Sequence, residues 1–222
     1  QYKVFGTSYA MTKVLVEDGD STRLGKEFAE HAGISMTDTI ETTNANILNR
    51  AFTYGYVGGD GVVLCSASHP IIGGTYSNVL ATPATLSQTS LEQMLTQILG
   101  AVNNNGMKMR LKPKELVVSP ANWLQAEVLL NSVLRTGAAN NDLNPVKSMG
   151  DLKKAVKISR LTSSTAWFIH TDARNGLKVL WRRKPQKSME GDFETDSMRY
   201  KITMRYADGW TNPRSVFGTS GV

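Results

Sequence analysis

Three histidines, one cysteine and a handful of serines are the side chains of this 222-residue chain that could carry acid–base, nucleophilic or metal chemistry. His31, His69 and His170 lie far apart, with no H-E-x-x-H and no C-x-x-C, so nothing has the spacing of a zinc site. Ser66, Ser68 and His69 fall together in SASHP. A serine beside a histidine is the raw material of a hydrolase, but it is more commonly a loop capping its own backbone. Cys65 ends an apolar run and reads as a small core residue rather than a nucleophile. YVGGDG, at 56–61, has neither the G-x-x-x-x-G-K-[ST] nor the G-x-G-x-x-G order and reads as a turn. FGTSG, at 217–221, sets Ser220 between small residues without the spacing of a G-x-S-x-G elbow. No catalytic residue, cofactor-binding residue or metal ligand is assigned on this basis, and the chain is not read as an enzyme.

The charged residues say more. The net charge is +6, with 41% hydrophobic and 20% charged residues, the composition of an ordinary globular protein in surroundings that include polyanions. A single cysteine allows no internal disulfide and fits a reducing compartment. No apolar run approaches the ~18 residues of a membrane span, and the N-terminus has no secretory signal, so no membrane partner is expected. Lys108, Arg110, Lys112 and Lys114 alternate, and Arg182, Arg183, Lys184 and Lys187 cluster beside Trp181. Arg199, Lys201, Thr203 and Arg205 alternate with Met198, Tyr200, Ile202, Met204 and Tyr206, which in a strand makes one basic and one apolar face. Cations interleaved with aromatics suit single-stranded nucleic acid, so one reading is a nucleic-acid-binding module built on residues 181–205. A solvated strand face is the commoner alternative. The third is contact between copies. Glu190, Asp192, Glu194 and Asp196 lie between the two basic segments, and an acidic loop flanked by basic strands is self-complementary in a repeating assembly. A nucleic-acid site gains nothing from four carboxylates, which favours self-association.

The elements that must position these groups follow an α+β order. Residues 2–17 read as extended, and Gly19 breaks the run. Asp20, Ser21 and Thr22 offer caps for a helix whose stripe is Leu24, Phe28, Ala32, Met36, Ile40, Ile47, Leu48 and Ala51. That periodicity lasts about thirty residues, or ~45 Å, which makes the helix a spine and predicts an elongated molecule. A turn, a short strand at Val62 to Cys65 and a loop come next. Ser90 and Gln93 then predict a capping box for a helix on Leu91, Met94, Leu95, Ile98, Leu99 and Val102, ended by Asn103 to Gly106. Leu116 to Val118 is a strand. Ser119 and Pro120 open a helix carrying Trp123, Leu124, Val128, Leu129 and Val133 that stops at Gly137. Residues 136–151 read as a polar loop. Val156 to Ile158 and Trp167 to His170 are strands, and a turn at Asn175-Gly176 leads into the ribbon at 177–206.

Five segments stand in a telling order: SASHPIIGG (66–74), RLKPKELVVSP (110–120), LRTGAANNDLNPVK (134–147), AWFIHTDARNGLKVLWRRKP (166–185) and DGWTNPRSVFGTSG (208–221). Together they resemble the major capsid protein of tailed bacteriophages, in the Mu-like major head subunit family. The resemblance implies the Hong Kong 97-like capsid fold, with a long spine helix, a peripheral domain and an axial domain. It implies that 1–18 are the returning strand of an extended loop, with an N-terminal arm and outgoing strand missing before them. It places the spine helix and peripheral domain at 19–60, the axial domain at 61–176, the peripheral ribbon at 177–206, and a segment returning to the axial domain at 207–222. A first strand without its outgoing partner would be a sticky edge, and a chain starting at Gln1 reads as though it begins in mid-element. The implied function is that of a major capsid protein, self-assembling as pentamers and hexamers into an icosahedral shell around double-stranded phage DNA. Such a subunit would be made in the bacterial host cytoplasm and end in the virion. Its partners would be further copies, a portal, scaffold or decoration proteins, and packaged DNA at non-specific range. No cofactor is implied.

Overall fold

Asp20 sets the start of the longest element. Its Oδ1 accepts the Arg23 backbone N–H at 3.3 Å, and helix α2 runs Ser21–Asn49, 29 residues. The computed structural model describes residues 1–135 and 142–221. These fall into two compact units, Gln1–Asn44 with Val179–Gly209, and Ala45–Lys178 with Trp210–Val222.

In the first unit, strand β1 spans Lys3–Thr12 and then stops short of the expected extended run. The Thr12 hydroxyl accepts the Leu15 N–H and turns Lys13–Asp18 into a short helix, α1, so local capping overrides the strand-forming Val14 and Val16. One edge of β1 is paired, and its other edge has no neighbour among the described strands, as expected of an edge strand. It pairs antiparallel with β8 (Ser197–Trp210) along its whole length, Phe5 opposite Met204 and Tyr9 opposite Tyr200. β8 also pairs with β7 (Leu177–Asp192), giving the order β1-β8-β7. The buried face of β8, Ile202, Met204 and Tyr206, packs on Ala32 and Met36 of α2, with Phe5, Tyr9 and Ile40 at its margin. These are the stripe and the strand face expected from the two periodicities.

The second unit is built on a four-stranded sheet, β5-β4-β6-β9, of β4 (Pro113–Val118), β5 (Lys154–Lys157), β6 (Trp167–Thr171) and β9 (Val216–Thr219). Both faces are covered. Leu116, Val118, Trp167 and Ile169 pack with Leu91, Met94, Leu95 and Ile98 of helix α3 (Gln88–Leu99) and Leu129 and Leu130 of helix α4 (Trp123–Asn131). The alternate residues Val117, Phe168 and Val216 pack with Leu48, Ala51, Leu64 and Cys65.

Several local expectations are corrected. The cap of α3 is Ser87, not Ser90: Ser90 sits three residues on, and the two serines satisfy each other's backbone N–H at 3.2 and 3.0 Å. Gly100 ends α3, and Asn103 to Gly106 instead form a turn between the bridged residues Val102 and Lys108. Helix α4 ends at Asn131, where Ser132 turns extended; Gly137, expected to end it, lies outside the described residues. The stretch read as a polar loop contains helix α5, Pro145–Met149, whose Asn144 cap accepts the Val146 N–H at 3.0 Å. Val62 to Cys65 is not a strand. Asn78 takes the backbone groups a ladder would use, its Nδ2 donating to Leu64 O and its Oδ1 accepting Ser66 N–H. The strands of that region come just after, as the hairpin of β2 (His69–Ile71) and β3 (Gly74–Tyr76).

Candidate assembly surfaces

The first unit carries the ribbon. β7 and β8 meet at a tight turn, 193–196, where Asp196 adopts a left-handed φ of 49° and Phe193 is fully exposed. On β8, Arg199, Lys201 and Arg205 are exposed opposite the buried apolar face, as the alternation requires. Ring contacts hold that face together: Tyr9 stacks on Tyr200 at 5.0 Å, Phe5 on Tyr206 at 5.1 Å, and Trp181 of β7 tilts against Tyr206 at 4.9 Å. β7 is another kind of strand. From Val179 to Gly191 every residue is exposed, and its outer edge has no neighbour among the described strands. Arg182, Arg183, Lys184 and Lys187 stand on it with no carboxylate within ion-pair reach among the described residues.

The acidic turn is only half available. Asp192 pairs with Arg199 and accepts the Thr195 hydroxyl at 2.8 Å, which, with the Glu194 N–H, holds its carboxyl below the usual range. Asp196 accepts from Lys13 at 2.8 Å, which raises the lysine. The four carboxylates expected to face a neighbour therefore reduce to Glu190 and Glu194. The structure joins the Trp181 cluster and the Arg199–Arg205 row in one sheet, and places Lys108, Arg110, Lys112 and Lys114 in the other unit.

That second unit shows an apolar surface on the helix the sequence predicted after Ser119 and Pro120. Leu124, Val128 and Val133, taken as one helix stripe with Trp123 and Leu129, are exposed, as are Leu134 and Leu143. The signal was present: six of the nine residues of α4 are apolar, more than one buried face needs.

Of the chemistry-bearing residues, His31 is exposed on α2, and the others are held in local structure. His69 is buried and faces Asp60 and Asn78 rather than a serine, while the Ser66 hydroxyl accepts the Ser68 N–H, so SASHP is a loop capping itself. Cys65 is buried, and burial pushes its thiol well up. His170 is lowered by burial against the opposing pull of Glu115. Among the described residues no cluster of three His, Cys, Asp or Glu is placed to hold a metal, and no helix is long and apolar enough to cross a membrane.

A family of phage capsid proteins matches residues 3–218. The chain belongs to the phage capsid protein family. It is a major capsid protein, whose copies form the shell of a phage head, and the rival reading of a separate nucleic-acid-binding module is not supported. Solved structures agree on fold. The chain is similar to a protein of Mycobacterium phage Patience (TM-score 0.58, 11% identity, 98% of this chain and 68% of that one) and to one of Microbacterium phage Oxtober96 (0.58, 8%, 98% and 71%). It is also similar to the encapsulin of the holo-SrpI complex from Synechococcus elongatus (0.51, 8%, 99% and 74%). At these identities the likeness is one of fold, the Hong Kong 97-like fold expected above. No curated protein sequence matches.

Proposed function

We propose that this chain works by geometry alone, with no catalytic step. Copies associate as pentamers and hexamers, and these close into an icosahedral shell around double-stranded DNA. The unit holding α2 and the ribbon acts as the peripheral domain and the sheet unit as the axial domain. DNA lies near the shell's inner surface as a polyanion screened by a mildly basic subunit, not as a sequence that is read. A portal and scaffold or decoration proteins complete the assembly, which forms in the host cytoplasm.

The observation that supports this reading is β7: thirteen successive exposed residues from Val179 to Gly191, with an outer edge and a row of cations that have no partner among the described residues. Its cations and Pro185 keep the edge from indiscriminate pairing, and a complementary acidic segment of another copy is what it accepts. Leu124, Val128 and Val133 give the axial unit a separate apolar surface of the kind that packs between copies. The test is electron microscopy of the purified full-length protein, with its size followed by light scattering. Closed particles, or five- and six-membered rings, are expected. A protein that stays monomeric at high concentration refutes the proposal.

A further inference from the structure

A cavity of about 420 Å³ opens in the sheet unit between β2, the turn at Asn103 to Asn105 and the segment Thr211 to Arg214. Arg214 is its unusual wall. The residue is only 7% exposed, its Nε donates to Val102 O at 2.6 Å, and its guanidinium lies 4.8 Å from the centre of the Tyr76 ring. The four terminal N–H groups find no acceptor and the charge no carboxylate among the described residues. The terminal nitrogens are not among the fully buried unpartnered atoms, so the fork opens onto the cavity, whereas an arginine otherwise this buried is ordinarily paired.

The one carboxylate on the cavity wall, Asp60, is already committed. Asn78 is fully buried, and the two hydrogens of its Nδ2 are shared among Leu64 O, Pro213 O and Val216 O at 2.7, 3.1 and 2.9 Å. Its Oδ1 lies 3.2 Å from His69 Nε2, and His69 Nδ1 lies 2.6 Å from Asp60 Oδ2, so Asp60 is taken up by the histidine. No ion pair joins Asp60 to Arg214 among the described residues, and Arg214 is the one arginine or lysine on the wall of the cavity.

We infer that this cavity is an oxyanion site, binding a carboxylate or phosphate group against the fork of Arg214. The planar guanidinium matches both groups through paired N–H donors. The volume is ample for an acidic side chain as well as for a free ion. The site lies within one unit of one chain, so it stands independently of the assembly proposal. Two sources share the chemistry: a free anion, and an acidic side chain of a second copy, such as the exposed and unpaired Glu190 or Glu194.

Inorganic phosphate and, separately, acetate are titrated into the dissociated full-length protein at fixed ionic strength, with thermal unfolding as the readout. A saturable rise in Tm is expected, about 5–10 °C at a hundredfold excess over Kd. Phosphate also stabilises proteins generally by exclusion from their surface, an effect that does not saturate and is blind to sequence. Thr211→Asp, on an exposed part of the wall, supplies a carboxylate in place and abolishes the saturable part. In the unaltered protein the Asn104, Asn105 and Thr211 backbone amide signals move with added phosphate. The inference is overturned if no saturable response occurs, if a folded Thr211→Asp protein keeps it, or if the amide shifts fall elsewhere. Assembled particles then identify the source. Loss of the response in particles means a neighbouring copy's carboxylate fills the site, and an unchanged response means a free anion does.

Discussion

β4 and β7 show two ways of building a strand in one chain. β4 has a neighbour on each side, β5 and β6, and its Leu116, Val117 and Val118 are fully buried, alternating between the two faces. β7 has one neighbour, β8, and is exposed from Val179 to Gly191, with Leu180 at 53% and Met189 at 59%. β4 is satisfied within the chain. The outer edge of β7 has no neighbour among the described strands, and under the proposal above it is completed between copies. Substitutions in the two regions should therefore fail in different assays, one in folding and the other in assembly.

The largest effect is expected at Asn78. Its side chain serves three backbone carbonyls, the Ser66 N–H and His69 in the buried interior. Asn78→Ala leaves several of these unsatisfied at about 1–3 kcal/mol each, so a loss of roughly 3–5 kcal/mol is expected in denaturant unfolding. A loss under ~1 kcal/mol would mean that water substitutes freely and the sheet unit is less self-contained than its burial implies. Next comes Gly218. A Cβ there would lie 2.4 Å from Phe168 Cδ1, and that ring is buried against the sheet and stacked on Phe52 at 5.7 Å. Gly218→Ala should cost about 1–3 kcal/mol by overpacking, with a matching fall in the denaturation midpoint.

These two positions also mark where sequence reading stops. α2 and β8 were legible because a period of 3.6 held across 29 residues and a period of 2 across most of 14. Asn78 was not, since its partners stand 12, 14, 135 and 138 residues away and no local pattern announces them. β9 was missed for a similar reason: four residues after a short 3-10 turn carry too little periodicity to register. The cations of the ribbon were visible, but their pairing was not. Asp192 and Asp196 look as free as Glu190 and Glu194 until the turn brings Arg199 and Lys13 beside them. In α4 the excess of apolar residues was legible, but which of them are covered was not, because six apolar residues in nine mark no single face.

The comparison is sharpest on β7 itself. Arg183 and Lys187 are exposed and have no carboxylate partner among the described residues. Arg183→Glu with Lys187→Glu should leave folding stability within about 0.5 kcal/mol of the unaltered chain. The same pair should suppress assembly followed by light scattering, since like charges brought together across an interface cost several kcal/mol. If the double variant unfolds more easily yet still assembles, the cations hold their own chain and the contrast with β4 collapses.

The smallest effect concerns the turn that ends the ribbon. The Thr195 hydroxyl, then the Glu194 N–H and Arg199, hold the Asp192 carboxyl below its usual value. A depressed carboxylate stabilises the fold above its unfolded pKa, about 3.9, and the benefit is lost as the pH falls through the lower native value. Because the turn beside it, 193–196, is exposed, the loss should be local to the turn rather than global. The Glu194 amide, which donates to Asp192 Oδ1 at 3.3 Å, is the reporter. Its NMR shift should titrate with a midpoint below 3.9 while the amides of Leu116, Val117 and Val118 stay still. A midpoint at or above 3.9 would mean that the turn does not hold this carboxylate in solution. Asp192 would then join Glu190 and Glu194 as a carboxylate available to a neighbouring copy, and the acidic loop would present three such groups rather than two.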